Sequence, residues 1–301
     1  MDVNLVNLIE DFGSEDRCRE YLEELRWPDG IDCPRCGGRV ISRIKHRNQF
    51  DCDGCRYQFS VTAGTLFHDS HLPLWKWFLG VYLMCESKKG ISSKQLERSL
   101  GVSYKTAWYL THRIREAMGD RDEPLLSGTV EVDETWIGGE ARGAGQGYPG
   151  NKVSIVGAIQ RDGELRLKAL RGKPTKDQLF KFIRENVAPD ADAVFTDSSA
   201  AYLTLGREYH HESVNHGIRE YVRGNVHTNT VESVWSLFKR AVAGSWHQIS
   251  VKHLPAYLDE MEFRFNGREN PYLFRDTLLV LLHGEYLPYK KLTAKVEPAK
   301  G

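Results

Sequence analysis

Two Cys-x-x-Cys pairs, Cys33-Pro34-Arg35-Cys36 and Cys52-Asp53-Gly54-Cys55, constrain this chain more than any other feature. Fifteen residues, Gly37 to Asp51, lie between them. Each pair bends the backbone so that two sulfurs point the same way, and two pairs at this spacing make a tetrahedral four-thiolate site for one structural zinc ion. Gly37 and Gly54 supply the small residues that such turns favour. A segment of about 30 residues is too short to fold on its own core, so the metal supplies the folding energy. Thioredoxin-type redox chemistry needs one pair, not two. The intervening GGRVISRIKHRNQFDC reads as a hairpin, and the whole reads as a zinc ribbon. Cys18 and Cys85 have no partner at ligand spacing and read as packing residues.

Disulfides are disfavoured because nothing points to an oxidising compartment. The chain opens MDVNLVNLIEDFG, without a basic start and an apolar signal region. Its longest apolar stretch, Leu72 to Cys85, is interrupted by Lys76 and is shorter than the ~20 residues of a membrane-spanning helix. The expectation is a cytoplasmic chain with no membrane partner. An apolar content of 41%, with 7 Trp, 13 Tyr and 12 Phe, supports substantial cores and excludes a wholly disordered chain. Lysine plus arginine and aspartate plus glutamate both number 41, so net charge is zero, but the distribution is uneven. Residues 1–32 are acidic, whereas Arg35, Arg39, Arg43, Lys45, Arg47 and Arg56 make the ribbon basic. Such a patch suits phosphate, and Arg43, Lys45 and Arg47 are its candidate contacts.

Residues 5–25 read as one amphipathic helix, and a second helix begins near Pro73 with Trp75, Phe78, Leu79 and Tyr82 as its buried stripe. In GISSKQLERSLGVSYKTAWYLTHRIREAM, Ser92 or Ser93 caps a short helix, Gly101 makes the turn and Ser103 caps the next. The pair, at 91–118, resembles a helix-turn-helix, with Lys105, Arg113 and Arg115 as candidate DNA contacts, the two arginines to phosphates. A plain packing role is the alternative.

From about residue 126 the pattern alternates: three strands (128–139, 152–160, 164–169), a helix (176–186) and a fourth strand (193–196). That order matches an α/β ribonuclease-H-like mixed sheet with flanking helices, a fold-level analogy. Asp133 lies inside the first strand on the same pleat face as Glu131 and Thr135, and Asp197 ends an apolar strand. Carboxylates at such positions are costly unless hydrogen-bonded or bound to a cation. Periodicity does not choose between Glu131 and Asp133, and Glu134 also competes. Asp197 has an alternative as N-cap of Ser198–Leu205. Glu232 sits in HTNTVESVWSLFKR, where Val231, Val234, Trp235, Phe238 and Val242 give a helix its buried side and Glu232, Ser236 and Lys239 share the other face. Its alternative is a capping box with Asn229. If Asp133, Asp197 and Glu232 converge, their repulsion calls for hard divalent cations, and two such ions support in-line attack on a phosphodiester. No Gly-x-Ser-x-Gly elbow, phosphate-binding Gly-Lys loop or Rossmann fingerprint occurs, so nucleotide hydrolysis and dinucleotide redox are weak readings.

CPRC with CDGC, FSVTAGTLFHDSHLPLWKW, ISSKQLERSLGVSYKTAW, VEVDETWIGG, VFTDSSAAY, VNH, HTNTVESVWSLFKR and GSWHQISVKHLPAYLDEMEFRFNGR occur in that order over roughly residues 15–270. Together they resemble bacterial insertion-sequence transposases of the ISXO2-like kind, which join an N-terminal zinc ribbon to an Asp-Asp-Glu catalytic domain. The resemblance implies that Asp133, Asp197 and Glu232 are the catalytic, magnesium- or manganese-binding triad, and so decides against Glu131 and Glu134. It implies cleavage at the element's ends and joining of the freed 3′-hydroxyls to target DNA. The partners would be double-stranded DNA (terminal inverted repeats and target) and further copies of the chain, at least a dimer, nucleoid-associated when bound. A simple endonuclease and a domesticated DNA-binding protein are the competing readings.

Lys239 and Arg240 are candidate backbone contacts. His216, His227 and His247 surround the third motif as structural or phosphate-facing residues, and Arg264 and Arg268 as groove or site neighbours. The expected layout is 1–27 leading helix, 28–60 zinc ribbon, 61–122 helical region, 123–270 catalytic domain and 271–301 a C-terminal tail, with the glycine-rich Glu140–Asn151 as a strand-facing loop. In the tail an apolar helix-like run, Leu278–Leu282, precedes a Lys-rich end that is frayed or a minor DNA or protein contact.

Overall fold

The computed structural model describes residues 4–119, 123–138 and 153–294. The chain forms two units: residues to Asp120 together with those from Glu269 make one, and Arg121–Arg268 the other.

In the first unit, Asn4 accepts from the Val6 and Asn7 amides and starts α1 (Leu5–Phe12). The single helix expected over 5–25 breaks here. Ser14 is extended and its side chain accepts from the Arg17 amide, which starts α2 (Glu15–Arg26) afresh. The ribbon follows as β1 (Ile41–Ile44), β2 (Gln49–Cys52) and β3 (Gln58–Phe59), antiparallel in that order. Ile41 pairs with Cys52, and Asn48, at φ 52°, takes the left-handed turn of the hairpin. Trp27 meets Phe50 and Phe59 edge-on, at 5.4 and 5.9 Å, as a small aromatic core.

The helix α3 (Leu74–Glu86) starts directly after Pro73, and its buried side is Leu74, Trp77, Phe78, Val81, Met84 and Cys85. This corrects the expected stripe: Trp75 is exposed, because neighbouring residues on a helix are 100° apart and the inward face lies one position on. The expected helix pair is present as α4 (Ser93–Leu100) and α5 (Tyr104–Gly119). Ser92 caps the first, Gly101 closes it at φ 58°, and the Ser103 hydroxyl accepts from the Thr106 amide.

The second unit is built on β4 (Thr129–Ile137), β5 (Val153–Gln160), β6 (Leu165–Leu170), α6 (Lys176–Asn186), β7 (Ala193–Asp197) and β8 (His211–Val214). The sheet order is β6-β5-β4-β7-β8. Its first three strands are antiparallel neighbours, and β4, β7 and β8 run parallel. This is the mixed, ribonuclease-H-like sheet. A small hairpin, β9 (Val222–Arg223) with β10 (Val226–His227), leads into α7 (Asn229–Ala241), and α8 (Leu254–Asn266) follows. Period-two alternation divides the strands between two cores. Val130, Val132, Val156 and Ala158 pack with Leu179, Phe180 and Ile183 of α6. Ile155, Ile159 and Val153 pack with Val231, Val234, Trp235 and Phe238 of α7 and with Leu258 and Met261 of α8.

The chain then returns to the first unit as α9 (Leu273–His283) and α10 (Tyr289–Thr293). The apolar run expected at Leu278–Leu282 lies inside α9, and α10 is helical within the stretch expected to fray. Phe274, Leu278, Leu281 and Leu282 are buried, α9 packs on α2, α3 and α5, and Phe274 meets Phe78 at 5.7 Å. Glu140–Asn151 and residues 295–301 lie outside the described residues. Among those described, no helix is long and apolar enough to cross a membrane.

Candidate active site

The odd-numbered residues of β4 face α7, and they carry Glu131 and Asp133. β7 runs parallel beside β4, with Glu131 paired to Phe195. Two residues further along each strand stand Asp133 and Asp197. Glu232 projects from the first turn of α7, exposed together with Ser236 and Lys239. The β4–β7 register sets Asp133 beside Asp197, and Glu232 follows directly on Thr230 and Val231, whose amides are bonded to Glu131 of β4, so the fold draws together residues from the first strand, the fourth strand and the helix that follows. Among the described residues they do not close into a group with all ligand atoms within 4.8 Å, as the four cysteines do.

Burial raises the Asp133 carboxyl to about 6. The Glu134 amide and the Trp235 indole oppose the rise, and the two neighbouring carboxylates add to it. The indole Nε1–H of Trp235 donates to Asp133 Oδ2 at 2.9 Å. Glu134 points to the other face, where burial raises it to about 7, the Tyr202 hydroxyl works against the rise, and the charges of Asp133 and Asp197 add to it. Asp197 Oδ1 accepts from the Ser199 amide at 3.0 Å. No helix over Ser198–Leu205 exists for it to cap; short 3₁₀ turns at Ala200–Tyr202 and Leu205–Arg207 take its place, and Ser199 caps the first.

The Asn229–Glu232 capping box is also absent. Asn229 is already helical, and the Glu232 carboxylate accepts from the Thr228 hydroxyl at 3.0 Å. The free amides at the start of α7 are met from another strand. Glu131 Oε2 accepts from the amides of Thr230 at 2.7 Å and Val231 at 3.1 Å, while Oε1 accepts from the Thr230 hydroxyl at 2.9 Å. Arg161 Nε donates to the same Oε1 at 2.8 Å.

Lys239 borders a cavity of about 760 Å³ with Trp136, Ile137, Phe238, Val242 and Ile249. Arg240 is exposed and donates to Ser236 at 2.9 Å. His216 Nε2 lies 3.7 Å from Glu232 Oε1, His227 joins Glu131 at 3.1 Å, and His247 lines the same cavity as Lys239. Arg264 is buried beside Glu260, and Arg268 donates to backbone carbonyls at Gly163 and Phe265.

In the first unit, Lys45 and Arg47 are exposed at the hairpin turn, and Lys105 is exposed with its ammonium 4.5 Å from the Tyr289 ring. Arg43 pairs with Glu23 and stacks on Phe50. Arg113 and Arg115 are corrected: they are 1% and 0% exposed and present no surface to a phosphate backbone. Arg113 instead donates to the His68 carbonyl and the Tyr109 hydroxyl, with its guanidinium 4.2 Å from the Tyr109 ring.

The sulfurs of Cys33, Cys36, Cys52 and Cys55 all lie within 4.8 Å of one another. Cys33 to Cys55 and Cys36 to Cys52 are 3.6 Å apart. A tetrahedron with metal–sulfur bonds of about 2.3 Å has edges of about 3.8 Å, so the four fit zinc.

Glu131, Arg161, Gly157 and Trp235 surround Asp133 and the start of α7, in roles that the sequence does not announce. In the sequence Glu131 reads only as a rival ligand, and its place on the Asp133 face is the signal for its role. Gly157, a glycine inside a strand, marks a close approach: it pairs with Asp133.

Residues 125–266 match the ISXO2-like transposase domain family, and residues 13–58 match the transposase zinc-ribbon domain family. An uncharacterized protein in transposable element ISH50 of Halobacterium salinarum is 31% identical over 278 residues, covering 85% of this chain and 92% of that protein. An uncharacterized transposase-like protein of Haemophilus influenzae is 33% identical over 92 residues, covering 30% of this chain and 72% of its own length. Among solved structures, the Mos1 strand transfer complex aligns over 70% of this chain and 79% of its own at 12% identity and a TM-score of 0.32. That likeness is too distant to add to the sheet order already described. With both domain families matched in order and the ISH50 protein covered almost end to end, this chain belongs to the ISXO2-like transposases with an N-terminal zinc ribbon.

Proposed function

We propose that the protein is a DNA strand transferase that binds the ends of an insertion sequence, cleaves phosphodiester bonds there and joins the 3′-hydroxyls to target DNA. The observation that carries this is the placement of Asp133, Asp197 and Glu232. Two lie on adjacent parallel strands and the third on a helix held to the same strand, with both other charges felt at Asp133. Membership of the transposase family supports it.

Three carboxylates held close together repel, and hard divalent cations relieve that repulsion. Asp133, Asp197 and Glu232 are the residues that would hold two magnesium or manganese ions, which supply a polarised phosphate and an activated oxygen nucleophile. The chain's own contributions are positional. The Trp235 N–H fixes one oxygen of Asp133, and the Thr228 hydroxyl fixes one of Glu232. Lys239 and Arg240, exposed beyond Glu232 on α7, face the DNA backbone. In the other unit Arg43, Lys45, Arg47 and Lys105 contact the double-stranded ends, and one zinc ion on the four cysteines holds the ribbon. Two ends must be handled together, which calls for at least a dimer on DNA.

The test is a magnesium- or manganese-dependent strand-transfer assay on DNA carrying the element's own ends, with Glu232→Gln and Asp197→Asn in parallel. Joining by the parent and by neither variant, with DNA binding retained, is the expected result. Cutting without joining would make the protein an endonuclease. Binding without chemistry would make it a DNA-binding protein, and joining by Glu232→Gln would remove that residue from the site.

A further inference from the structure

Glu131 is a buried carboxylate that the proposed chemistry does not use. It is 0% exposed, and an ionised group so placed is costly unless every oxygen is met by donors. Here they are: two backbone amides and a hydroxyl from the first turn of α7, and the Arg161 guanidinium. A helix N-terminus presents unpaired amides and a partial positive charge, which a side chain of the helix itself usually meets. Thr228 makes no such bond. The cap comes instead from a strand about a hundred residues earlier in the chain. Arg161 extends the arrangement backwards, donating to the carbonyls of Asn225 at 2.9 Å and His227 at 3.2 Å, the residues that lead into α7.

We infer that Glu131 is a positioning residue: by holding the amides of Thr230 and Val231 it sets where Glu232, the next residue, stands relative to Asp133 two positions along the same strand. The inference rests on the proposed role of the three carboxylates. A single strand face thus carries one ligand and, through Glu131, the fixing point of another. Other helix–strand packing leaves α7 able to slide or rotate slightly, and a carboxylate that receives two consecutive amides does not.

The test uses the full chain, without DNA, and manganese ion as the probe. In Glu131→Gln the side chain keeps its size but faces donors with an amide that can accept at only one atom. Amide exchange at Thr230 and Val231 in the metal-free protein should quicken, and half-saturation by manganese should rise by about tenfold or more. In a Glu232→Gln background the same change should leave manganese affinity unaltered, because the ligand it positions is already lost. Parent-like manganese affinity in Glu131→Gln, or an equal loss with and without Glu232, would overturn the inference, since a purely structural role gives equal losses. If Glu131→Gln does not fold, Thr230→Val removes only the hydroxyl bond and should weaken manganese binding by about threefold or more; no change there would equally overturn it. A parent that joins no DNA, but whose manganese affinity falls in Glu131→Gln only when Glu232 is present, would sink the strand-transfer reading and leave the placement of Glu232 standing.

Discussion

Gly157 leaves the room that the Trp235 indole fills: a Cβ at position 157 would lie 2.6 Å from the ring. The same ring donates its N–H to Asp133, which pairs with Gly157 across the sheet. Gly157→Ala should therefore cost about 1–3 kcal/mol in urea unfolding of the second unit. Metal-dependent cleavage should fall with it, while affinity for DNA ends stays near the parent's. An alanine variant with parental stability and cleavage would show that the ring has slack.

Trp235→Phe keeps most of the packing and removes the donor. Asp133 then loses a bond that favours its ionised form, and its carboxyl should move further above about 6. In the metal-free protein the Asp133 carboxyl, followed by NMR, should titrate about one unit higher than in the parent. An unmoved titration would mean that the indole bond does not hold the ionised form.

Asp133 is raised from 3.8 to about 6, and Glu134 from 4.5 to about 7. Both are raised acids, so between about pH 4 and 7 the folded state binds more protons than the unfolded one. The sign of linkage then makes their contribution to stability fall as pH rises through that window. In the metal-free protein, the melting temperature of the parent minus that of an Asp133→Asn, Glu134→Gln double variant should drop by on the order of several degrees from pH 4.5 to 7.5. Magnesium should recover more of the parent's stability at pH 7.5 than at pH 5. A difference that is flat with pH would place both groups in a wetter setting than the fold indicates.

Purified protein should carry one zinc ion per chain. Cys52→Ser should lose the ion, open the segment 28–60 to limited proteolysis and abolish specific end binding, with the melting of the second unit unchanged. Zinc content and end affinity equal to the parent's would falsify the assignment.

The basic residues divide by exposure. Neutralising Lys45 and Arg47 should weaken DNA binding and lower the slope of log affinity against log salt by about 0.9 for each lost phosphate contact. Arg113→Met should leave that slope unchanged and instead lower the stability of the first unit by about 1–3 kcal/mol, because the buried guanidinium is hydrogen-bonded to the His68 carbonyl and the Tyr109 hydroxyl. Filter binding over a salt series and a denaturant melt separate the two.

What could be read in the sequence was what repeats over short spans. The cysteine pairs, the alternation of β4, the apolar side of α7 and the glycine between α4 and α5 are each complete within about 20 residues, and each appears as expected. What could not be read depends on partners far along the chain. Arg113 looked like a phosphate contact because its hydrogen-bond partner at His68 is 45 residues away. Glu131 looked like a rival ligand because the amides it caps are 99 and 100 residues away. The Leu278–Leu282 run of α9 reads as helical, but not as core, because its apolar face is answered by helices near the other end of the chain. The break at Gly13-Ser14 is of another kind: the apolar spacing of residues 5–25 continues across it, and only the extended backbone of Ser14, capping the Arg17 amide, shows that α2 starts afresh.

The first unit is discontinuous, interrupted by Arg121–Arg268 and completed only by α9 and α10. On the ribosome this sets an order of events. The ribbon has its cysteines early, but the helical layer around Phe78 waits for Phe274, which emerges on the order of ten seconds later at usual elongation rates. The carboxylate-bearing unit is therefore finished before the unit that precedes it. A message cut short after Arg268 would release a complete cluster of acids beside an unfinished helical layer, whose exposed apolar side invites rapid degradation.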